Sequence, residues 1–356
     1  VTKHKPSGTR LNDGAGAMTK EGFLASLGQV PPSTEALRGF LDALADGFLP
    51  TEDEAFQLLK MATAHFGKLP TLVQVSVPPK ATLHVVGDLH GQFCELMTVI
   101  SGCGLPSEKN MFLFNGDFVD RGGRSVEVML ALLSMALFAP GCVFLNRGNH
   151  EFAYMSRNYG FEEEALQKYP RRVFDAFQAV FISLPLASLL NHSVFVTHGG
   201  LFRSRAVSLH HVAQIDRFAA TLGEVAQDLL WSDPTNEDGR HLSQRGAGIL
   251  FGPDVSEEFC QENKLLCLIR SHEVKHRGYE WQRGGRCLTI FSAANYIGRM
   301  GNLGAVCHIT PRGEGHIEAS ELSISTFEGA GEDVAFRDRQ ARIQVTFPSA
   351  PLRSRL

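Results

Sequence analysis

The chain has 356 residues, of which 44% are apolar and 20% are charged, an ordinary globular composition that suffices for one large domain or two modest ones. A net charge of −4 and the lack of any run of Lys or Arg argue against a nucleic-acid partner. No stretch approaches the ~18 apolar residues of a membrane span, so we expect a soluble protein without a membrane partner. The seven cysteines are odd in number and lack CxxC spacing, which predicts reduced thiols in a cytoplasmic or nuclear protein.

The first helices are predicted after an irregular N-terminal segment. Residues 1–33 mix Gly, Pro, Ser and charged residues without a period, and we expect a flexible leader there. Helical spacing begins after Ser33, a residue type that caps helices, with apolar residues on one face at Leu37, Phe40, Leu41 and Leu44. A second helix is predicted to begin at the capping-box pattern of Thr51 and Glu54 and to end near Gly67.

From Leu83 onward the sequence changes to short apolar runs that are typical of buried strands. These runs are LHVV, MFLF, CVFL, VFVT, LLCLIR, CLTIF and AVCHI. Helical patterns separate the earlier runs, as βαβ units require, so the fold class is α/β at first and more strand-rich (α+β) later. No linker divides the chain, and we expect one domain over residues 34–330, with N-terminal helices at 34–67. Residues 331–356 form a charged C-terminal tail, in which RIQVTF predicts an edge strand or a crossing tail rather than a docking peptide.

Several of the predicted strands end in polar residues beside glycine. The first strand is followed by Asp88 and His90, and the second by Asp117, Asp120 and Arg121. The third is followed by Arg147, Asn149, His150 and Glu151. Two later strands are followed by His198 and His272. In open α/β sheets the carboxyl ends of the strands meet at one crevice, so we expect these loops to converge. One such motif alone is better explained by a buried His that is hydrogen-bonded to an Asp. All of them together predict a metal centre, because packing gives no reason for such residues at successive strand ends.

The types of ligand narrow the choice of metal. Carboxylates, imidazoles and one amide oxygen without a thiolate suit Mn²⁺, iron or Zn²⁺, and they exclude a structural zinc site of four cysteines. A carboxylate that bridges two ions holds them ~3.5–4 Å apart, and Asp117 is the natural bridge. We therefore expect two divalent ions, one bound by Asp88, His90 and Asp117 and the other by Asp117, Asn149, His198 and His272. Mn²⁺ is expected to load the site in vitro, with iron or zinc as candidates in the cell.

The motifs GDLHGQ, GDFVDRGG, RGNHE, THGG and RSHE, in this order, resemble the signature of the Ser/Thr protein phosphatase (PPP) branch of the metallophosphoesterases. The stretches LLWSDP, RGAGILFGPDV and GGRCLTIFSAANY extend the resemblance over residues 55–325. The resemblance implies the metallophosphoesterase fold, a central β-sandwich flanked by helices with the active site at the carboxyl ends of strands. It implies hydrolysis of phosphoserine and phosphothreonine monoesters by a hydroxide, formed from a water whose pKa the two metals lower from ~15.7 toward ~7. Implied partners are phosphorylated proteins and regulatory or targeting proteins, for a monomeric catalytic domain.

The resemblance also implies which residues bind the phosphate group. A phosphomonoester dianion needs counter-charge, and Arg supplies it with a rigid fork that binds phosphate bidentately. Arg121 and Arg245 match the family's phosphate-binding pair, and Asn149 and Tyr296 match positions that also contact the phosphate. From the residues alone, Arg245 is equally well explained as a surface residue, and Tyr296 also fits a buried core tyrosine. Arg147 is expected to be structural.

The reaction needs an acid, because a seryl or threonyl alkoxide is a poor leaving group. His150 is the candidate acid, and Asp120 would accept the other ring N–H, which fixes the tautomer of the imidazole. The resemblance favours this pair. The residues alone also allow Asp120 to form a salt bridge with its neighbour Arg121 on a turn.

Two other functions stay open. One is a small-molecule metallophosphoesterase similar to dinucleoside tetraphosphatases, and the other is a catalytically inactive scaffold that binds phosphoproteins. The chain departs from the family pattern SAPNYC, with Ala294 and Ile297 in SAANYI, but neither position supplies a ligand. The remaining histidines match no motif and have no assigned role: His4, His65, His84, His192, His210, His211, His241, His276, His308 and His316.

Overall fold

The computed structural model describes residues 33–329 and 344–346. Its helices are α1 (Thr34–Ala45), α2 (Glu52–Phe66), α3 (Phe93–Cys103), α4 (Ser125–Phe138), α5 (Ala153–Tyr159), α6 (Phe161–Lys168), α7 (Arg171–Ser183), α8 (Leu209–Ala213), α9 (Glu224–Trp231) and α10 (Pro253–Glu262), with 3₁₀ helices at Tyr296–Gly298 and Ala319–Glu321. Its strands are β1 (Leu72–Val75), β2 (Thr82–Val86), β3 (Asn110–Phe114), β4 (Val143–Leu145), β5 (Ala187–Leu190), β6 (Val194–Thr197), β7 (Asp233–Pro234), β8 (Arg240–Leu242), β9 (Ile249–Phe251), β10 (Cys267–Arg270), β11 (Tyr279–Trp281), β12 (Cys287–Ile290), β13 (Gly304–Ile309), β14 (Leu322–Phe327) and β15 (Gln344–Thr346).

Local capping signals place the two N-terminal helices as predicted. The Ser33 side chain accepts a hydrogen bond from the backbone N–H of Ala36 at 3.2 Å, and Thr51 and Glu54 form the reciprocal capping box of α2. Gly67 ends α2. The apolar faces of both helices are buried, so these helices are part of the main core. The predicted leader lies outside the described residues except for Ser33.

Two six-stranded sheets form the centre of the fold. The first has the order β15-β14-β13-β2-β3-β4, and the second has the order β1-β5-β6-β10-β12-β11. Leu83 and Val85 of β2 share one buried apolar cluster with Val194 and Val196 of β6, since alternate side chains of a strand point to one face. The sheets therefore pack face to face as a sandwich, which confirms the predicted architecture.

Helices cover both outer faces of the sandwich. Helices α1 to α4 and α7 bury their apolar residues against the first sheet, and α9 and α10 do the same on the second. The run SVEVMLALLSMALF of α4 lacks an extended polar face because the helix is buried from Ser125 to Ala136. A small third sheet, with the order β7-β9-β8, is separate from the two six-stranded sheets.

The C-terminal segment contributes one strand. β15 pairs antiparallel with β14, so the alternating stretch forms the edge strand that was predicted. The other residues of the predicted tail beyond residue 329 lie outside the described residues.

All seven cysteines are free in the structure, in agreement with the predicted reduced state. Within residues 33–329 and 344–346, we find no helix with the length and apolar character that crossing a bilayer requires.

The strands that carry the polar loops end at one edge of the sandwich. β2, β3 and β4 run parallel in the first sheet, and β6, β10 and β12 run parallel in the second. A bridge between Asp88 and Phe291, which follow β2 and β12, joins the two sheets at this edge. Loops from both sheets therefore face one another there.

Candidate active site

The backbone of the site loops is unusually constrained. A Cβ atom at Gly87 would lie 2.2 Å from the carbonyl oxygen of Ile290, so only glycine allows β2 to approach the second sheet here. His90 (φ 44°), Asp117 (φ 53°) and His272 (φ 72°) have left-handed backbone conformations. Such conformations are uncommon for residues with a side chain, and they cluster at functional sites.

Four of the predicted metal ligands meet around His198. Its Nε2 atom lies 2.9 Å from Asn149 Oδ1, 3.2 Å from His272 Nδ1 and 3.3 Å from Asp117 Oδ1. His198 Nδ1–H is donated to the carbonyl oxygen of Asn115 at 2.8 Å, so the lone pair of the neutral ring is on Nε2. Turning the Asn149 amide would place its NH₂ group against the same atoms. With the Asn149 oxygen facing inward and His198 neutral, these atoms are all acceptors, and a cation among them makes the arrangement favourable.

A second group of ligands lies on the other side of Asp117. His90 Nε2 is 3.6 Å from Asp88 Oδ2 and 3.6 Å from Asp117 Oδ2. His90 Nδ1–H is donated to the carbonyl oxygen of Val119 at 2.9 Å. His90 and His198 therefore each have one ring nitrogen fixed by a backbone carbonyl and the other aimed at the cluster, as metal-binding histidines do.

Unsatisfied atoms show that divalent ions fit this cluster. Asp88 Oδ2 is buried without a hydrogen-bond partner, and an unsatisfied buried polar atom costs about 1–3 kcal/mol. A cation held by Asp88, His90 and Asp117 satisfies this oxygen. The ligand atoms of Asp117, His198 and His272 lie within 4.8 Å of one another and could hold a second cation together with Asn149. The structure thus brings together both ligand sets that the sequence predicts, with Asp117 common to the two.

Burial and mutual charge shift the ionisation of these ligands. Burial and the nearby Asp117 carboxylate raise the pKa of Asp88 to about 7, and burial lowers the pKa of His90 to about 3. Burial opposes a charge on His198, but the carboxylates of Asp117 and Asp88 raise its pKa to about 9. Burial and the charge on His198 hold the pKa of His272 well below its usual range. Metal ions bind carboxylates and neutral imidazoles, so positive charge from bound ions favours the ligand form of every one of these groups.

Glu151 ties two loops of the site together. Its carboxylate accepts hydrogen bonds from the backbone N–H groups of Asp117, Phe118 and Gly148, each at 2.8 Å. These bonds fix the loop after β3 against the loop after β4. Burial and the Asp117 charge raise the pKa of Glu151 to about 7. Arg147 is buried and donates from Nε to the Glu151 carbonyl oxygen at 3.0 Å, so it has the structural position that was expected.

His150 and Asp120 form a buried pair beside the metal ligands. His150 Nδ1 lies 2.7 Å from Asp120 Oδ2, and the other Asp120 oxygen accepts the backbone N–H of Phe161 at 2.9 Å. Burial opposes a charge on His150, but the Asp117 charge and the Asp120 hydrogen bond raise its pKa above the ordinary value. The carboxylate of Asp120 is therefore engaged with His150, and the alternative salt bridge to Arg121 is not what the structure shows.

The two predicted phosphate-binding arginines, Arg121 and Arg245, are exposed. Arg121 packs its guanidinium 4.2 Å from the centre of the Tyr159 ring. Arg245 is held through its Nε by the carboxylate of Asp233, and it lines a cleft together with Asn149. Asp233 lies in LLWSDP, and the sequence alone assigned no role to it. The only sequence feature that could have pointed to a role for Asp233 is its position directly before a proline in this short motif.

Tyr296 lies half-buried at the rim of the site. Its ring centre is 5.1 Å from that of His90 and 5.3 Å from that of Phe291. Burial raises the pKa of its hydroxyl above the ordinary value, so the group stays a hydrogen-bond donor. The neighbouring Ile297 has φ 52°, an unusual conformation for a β-branched residue, in the loop that departs from the family pattern.

The chain belongs to the calcineurin-like phosphoesterase family, whose model matches residues 81–276. The match spans every metal-ligand position described above, from Asp88 to His272.

Comparison with individual proteins shows which members of the family this chain is similar to. The chain is 43% identical over 277 residues to serine/threonine-protein phosphatase T of Schizosaccharomyces pombe, covering 77% of this chain and 57% of the relative. It is 45% identical over 256 residues to human serine/threonine-protein phosphatase 5, covering 72% of this chain and 51% of the relative. The solved structure of a Saccharomyces cerevisiae protein serine/threonine phosphatase, described as similar to human phosphatase PP5, matches with a TM-score of 0.79 and 37% identity. That match covers 84% of this chain and 96% of the solved one.

These similarities confirm the resemblance to Ser/Thr protein phosphatases and, within them, to the catalytic region of protein phosphatase 5. The chain spans about half the length of the curated relatives it matches.

Proposed function

We propose that this chain is a metal-dependent protein serine/threonine phosphatase that hydrolyses phosphoserine and phosphothreonine monoesters. The proposal rests on the buried His150–Asp120 pair, joined at 2.7 Å beside two groups of cation ligands. The names of the similar phosphatases support it. The ions would be held by Asp88, His90 and Asp117 on one side and by Asp117, Asn149, His198 and His272 on the other. When bound, two divalent ions supply an activated nucleophile for direct attack on phosphorus near neutral pH.

His150 supplies the proton that the leaving alkoxide needs. Asp120 accepts the Nδ1–H, so the proton to be delivered resides on Nε2, which points toward the cluster and lies 3.9 Å from Asp117 Oδ2. Burial opposes a charge on His150, but the neighbouring Asp117 and Asp120 carboxylates raise its pKa, which favours the protonated ring that a general acid requires. General acids placed in this way typically contribute 10²–10⁴-fold to the rate.

The exposed arginines bind the phosphate dianion. Arg121 stacks on Tyr159 and Arg245 is held by Asp233. Both guanidinium groups are therefore already ordered, and substrate binding does not lose free energy by fixing them. Asn149 and Tyr296 would add amide and hydroxyl donors to the phosphate oxygens. The resulting positive rim suits a dianionic monoester presented on an exposed peptide segment.

Three further features belong to the same proposal. Mn²⁺ is the ion proposed for loading in vitro, and iron or zinc are proposed for the cell, because the ligands are carboxylates, imidazoles and an amide oxygen. The proposed partners are phosphorylated proteins, with regulatory or targeting proteins beside them. The free thiols suit a cytoplasmic or nuclear location.

Substrate choice tests the proposal. Metal-reconstituted protein is assayed on a phosphoserine peptide, on p-nitrophenyl phosphate and on a dinucleoside polyphosphate, beside the variant His150→Asn and the control His192→Asn at an exposed position. We expect turnover of the peptide by the wild type and the control, and a loss of about 10²-fold or more in His150→Asn. Turnover of the dinucleotide alone would identify a small-molecule hydrolase, and no turnover of any substrate would identify a binding scaffold. Either result overturns the proposal.

A further inference from the structure

Two histidines and a cysteine meet beside the middle of β2, away from the active site. His84 on β2 and His308 on β13 are directly opposite each other in the antiparallel pair. Cys103 is the last residue of α3. One candidate ligand atom from each of the three residues lies within 4.8 Å of the others. His84 precedes Asp88 by four positions, which at ~3.3 Å per residue places this cluster roughly 13 Å from the active site.

The tautomer of His84 is fixed by Asn110. The Asn110 amide donates its N–H groups to the carbonyl oxygens of Cys103 at 2.9 Å and Leu105 at 2.8 Å. Its side-chain oxygen must therefore be the atom that faces His84 Nε2 at 2.7 Å, and it accepts the Nε2–H. His84 consequently presents an Nδ1 lone pair to the cluster.

His308 has a similar orientation on the other strand, where the hydroxyl of Ser325 can either donate to its Nε2 or accept from it. Its Nε2 lies 2.7 Å from Ser325 Oγ, and its Nδ1 lies 2.6 Å from His84 Nδ1. Each ring thus has its Nε2 anchored by an oxygen and its Nδ1 directed at a common point, the orientation typical of metal-binding histidines. Without an ion, one proton must be shared between the two Nδ1 atoms, because two lone pairs that face each other repel.

Cys103 adds a sulfur ligand. Burial raises the pKa of its thiol to about 12, so the group is neutral unless a cation lies beside it. A bound metal ion deprotonates such a thiol directly. Cys103 and His308 are only partly buried, which gives an ion access to the cluster.

We propose that His84, Cys103 and His308 form a third cation site that binds Zn²⁺, separate from the active site. Two imidazoles and one thiolate are the ligand types of borderline ions, whereas the active-site ligands are mainly oxygen and nitrogen. Three protein ligands with a water in the fourth position are a common zinc arrangement. Zinc–nitrogen bonds of ~2.0–2.1 Å in a tetrahedron place two nitrogens ~3.3 Å apart, so binding requires the rings to separate by about 0.7 Å.

The site would link three elements of the fold. An ion bound there joins β2, β13 and the C-terminal end of α3, and any ion that binds only the native state stabilises it. No residue of this site contacts the proposed substrate, so its effect is on the stability of the sheet rather than on the chemistry of hydrolysis.

Cobalt is a suitable probe because thiolate-to-cobalt charge transfer absorbs in the near ultraviolet, and no active-site ligand is a thiolate. The full chain is stripped with a chelator and titrated with Co²⁺. We expect this band to appear in the wild type, to be lost in Cys103→Ser and His308→Gln, and to persist in the matched control Cys142→Ser. We also expect Zn²⁺ to displace the cobalt and abolish the band, and wild-type protein to retain one more Zn²⁺ per chain than Cys103→Ser after equal loading.

Several results would overturn the inference: no band in the wild type, an equal band in Cys103→Ser, or equal zinc contents of the two proteins. Should His308→Gln fail to fold, Cys103→Ser decides, since it is a near-isosteric change at a partly exposed position. The variant Asp117→Asn disrupts the active-site ligands and should keep the cobalt band. The readouts do not depend on phosphatase activity, so this inference and the proposed function can fail separately.

Discussion

Replacing Asp120 with Asn tests whether His150 delivers a proton. In the structure one carboxylate oxygen accepts the His150 Nδ1–H and the other accepts the N–H of Phe161. An amide has a single oxygen and can satisfy only one of these donors, so its NH₂ group must then oppose the other. The substitution also removes the negative charge that stabilises the protonated ring.

The magnitude follows from the burial of this pair. Asp120 is 0% exposed, so water cannot replace the lost hydrogen bond. A hydrogen bond to a charged group contributes about 1.5–3 kcal/mol, and each 1.36 kcal/mol changes a rate tenfold. We therefore expect kcat for a phosphoserine peptide to fall by about 10- to 100-fold. KM should change little, because the arginines that are proposed to bind the phosphate are untouched.

The assay compares two leaving groups. The phenolate of p-nitrophenyl phosphate leaves without an acid, so its kcat should fall much less than that of the peptide. The pKa of His150 should also fall, which moves the alkaline limb of the kcat profile for the peptide to lower pH. Asp175→Asn, at an exposed position, is the control, and thermal melting shows whether the variant is folded. An equal fall on both substrates would mean that Asp120 acts only through the fold, and an unchanged kcat for the peptide would refute the role of His150.

Four other outcomes are expected. Glu151→Gln places an amide NH₂ against a backbone N–H donor and should lower the free energy of unfolding by about 1–3 kcal/mol in a urea titration; an unchanged midpoint would contradict its role in joining the loops. Thr51→Ala removes the capping box with Glu54 and should cost about 1 kcal/mol in the same titration, while Thr51→Ser, which keeps the hydroxyl that bonds to Glu54, should not. Arg245→Lys loses the bidentate fork and should lower kcat/KM for the peptide about tenfold, mainly through KM; a loss confined to kcat would argue against ground-state phosphate binding. Chelation of divalent ions should lower the melting temperature and added Mn²⁺ should restore it, whereas a melting temperature insensitive to both treatments would contradict cation binding at Asp117.

The candidate metal ligands could be read from the sequence because each lies within four residues of the end of a buried strand. Asp88 comes two residues after β2 and His198 comes immediately after β6. The convergence of these residues then follows from parallel strands that end at one edge. The capping roles of Ser33 and Thr51 could also be predicted from the sequence, because a cap bonds to residues within one helical turn.

Other features depend on contacts between distant parts of the chain and have no local signal. Glu151 accepts a hydrogen bond from the backbone N–H of Asp117, which lies in a different loop. Asp233 accepts a hydrogen bond from Arg245, which lies beyond β8. The pairing of His84 with His308 depends on the register of β2 against β13. The strands of the small third sheet have only two or three residues each, too few for a period to be seen.

Left-handed backbone at the site also limits how the protein can be engineered. His90, Asp117, Asp120, Arg121 and His272 all have positive φ, and each such conformation is strained by roughly 1–3 kcal/mol. Four of these residues bind the proposed ions or make buried hydrogen bonds, but Arg121 is exposed, so laboratory selection for heat tolerance alone should favour glycine or asparagine there. Such variants would melt at a higher temperature and bind phosphate less tightly, so a screen for a more stable protein must also measure the proposed phosphatase activity in every round.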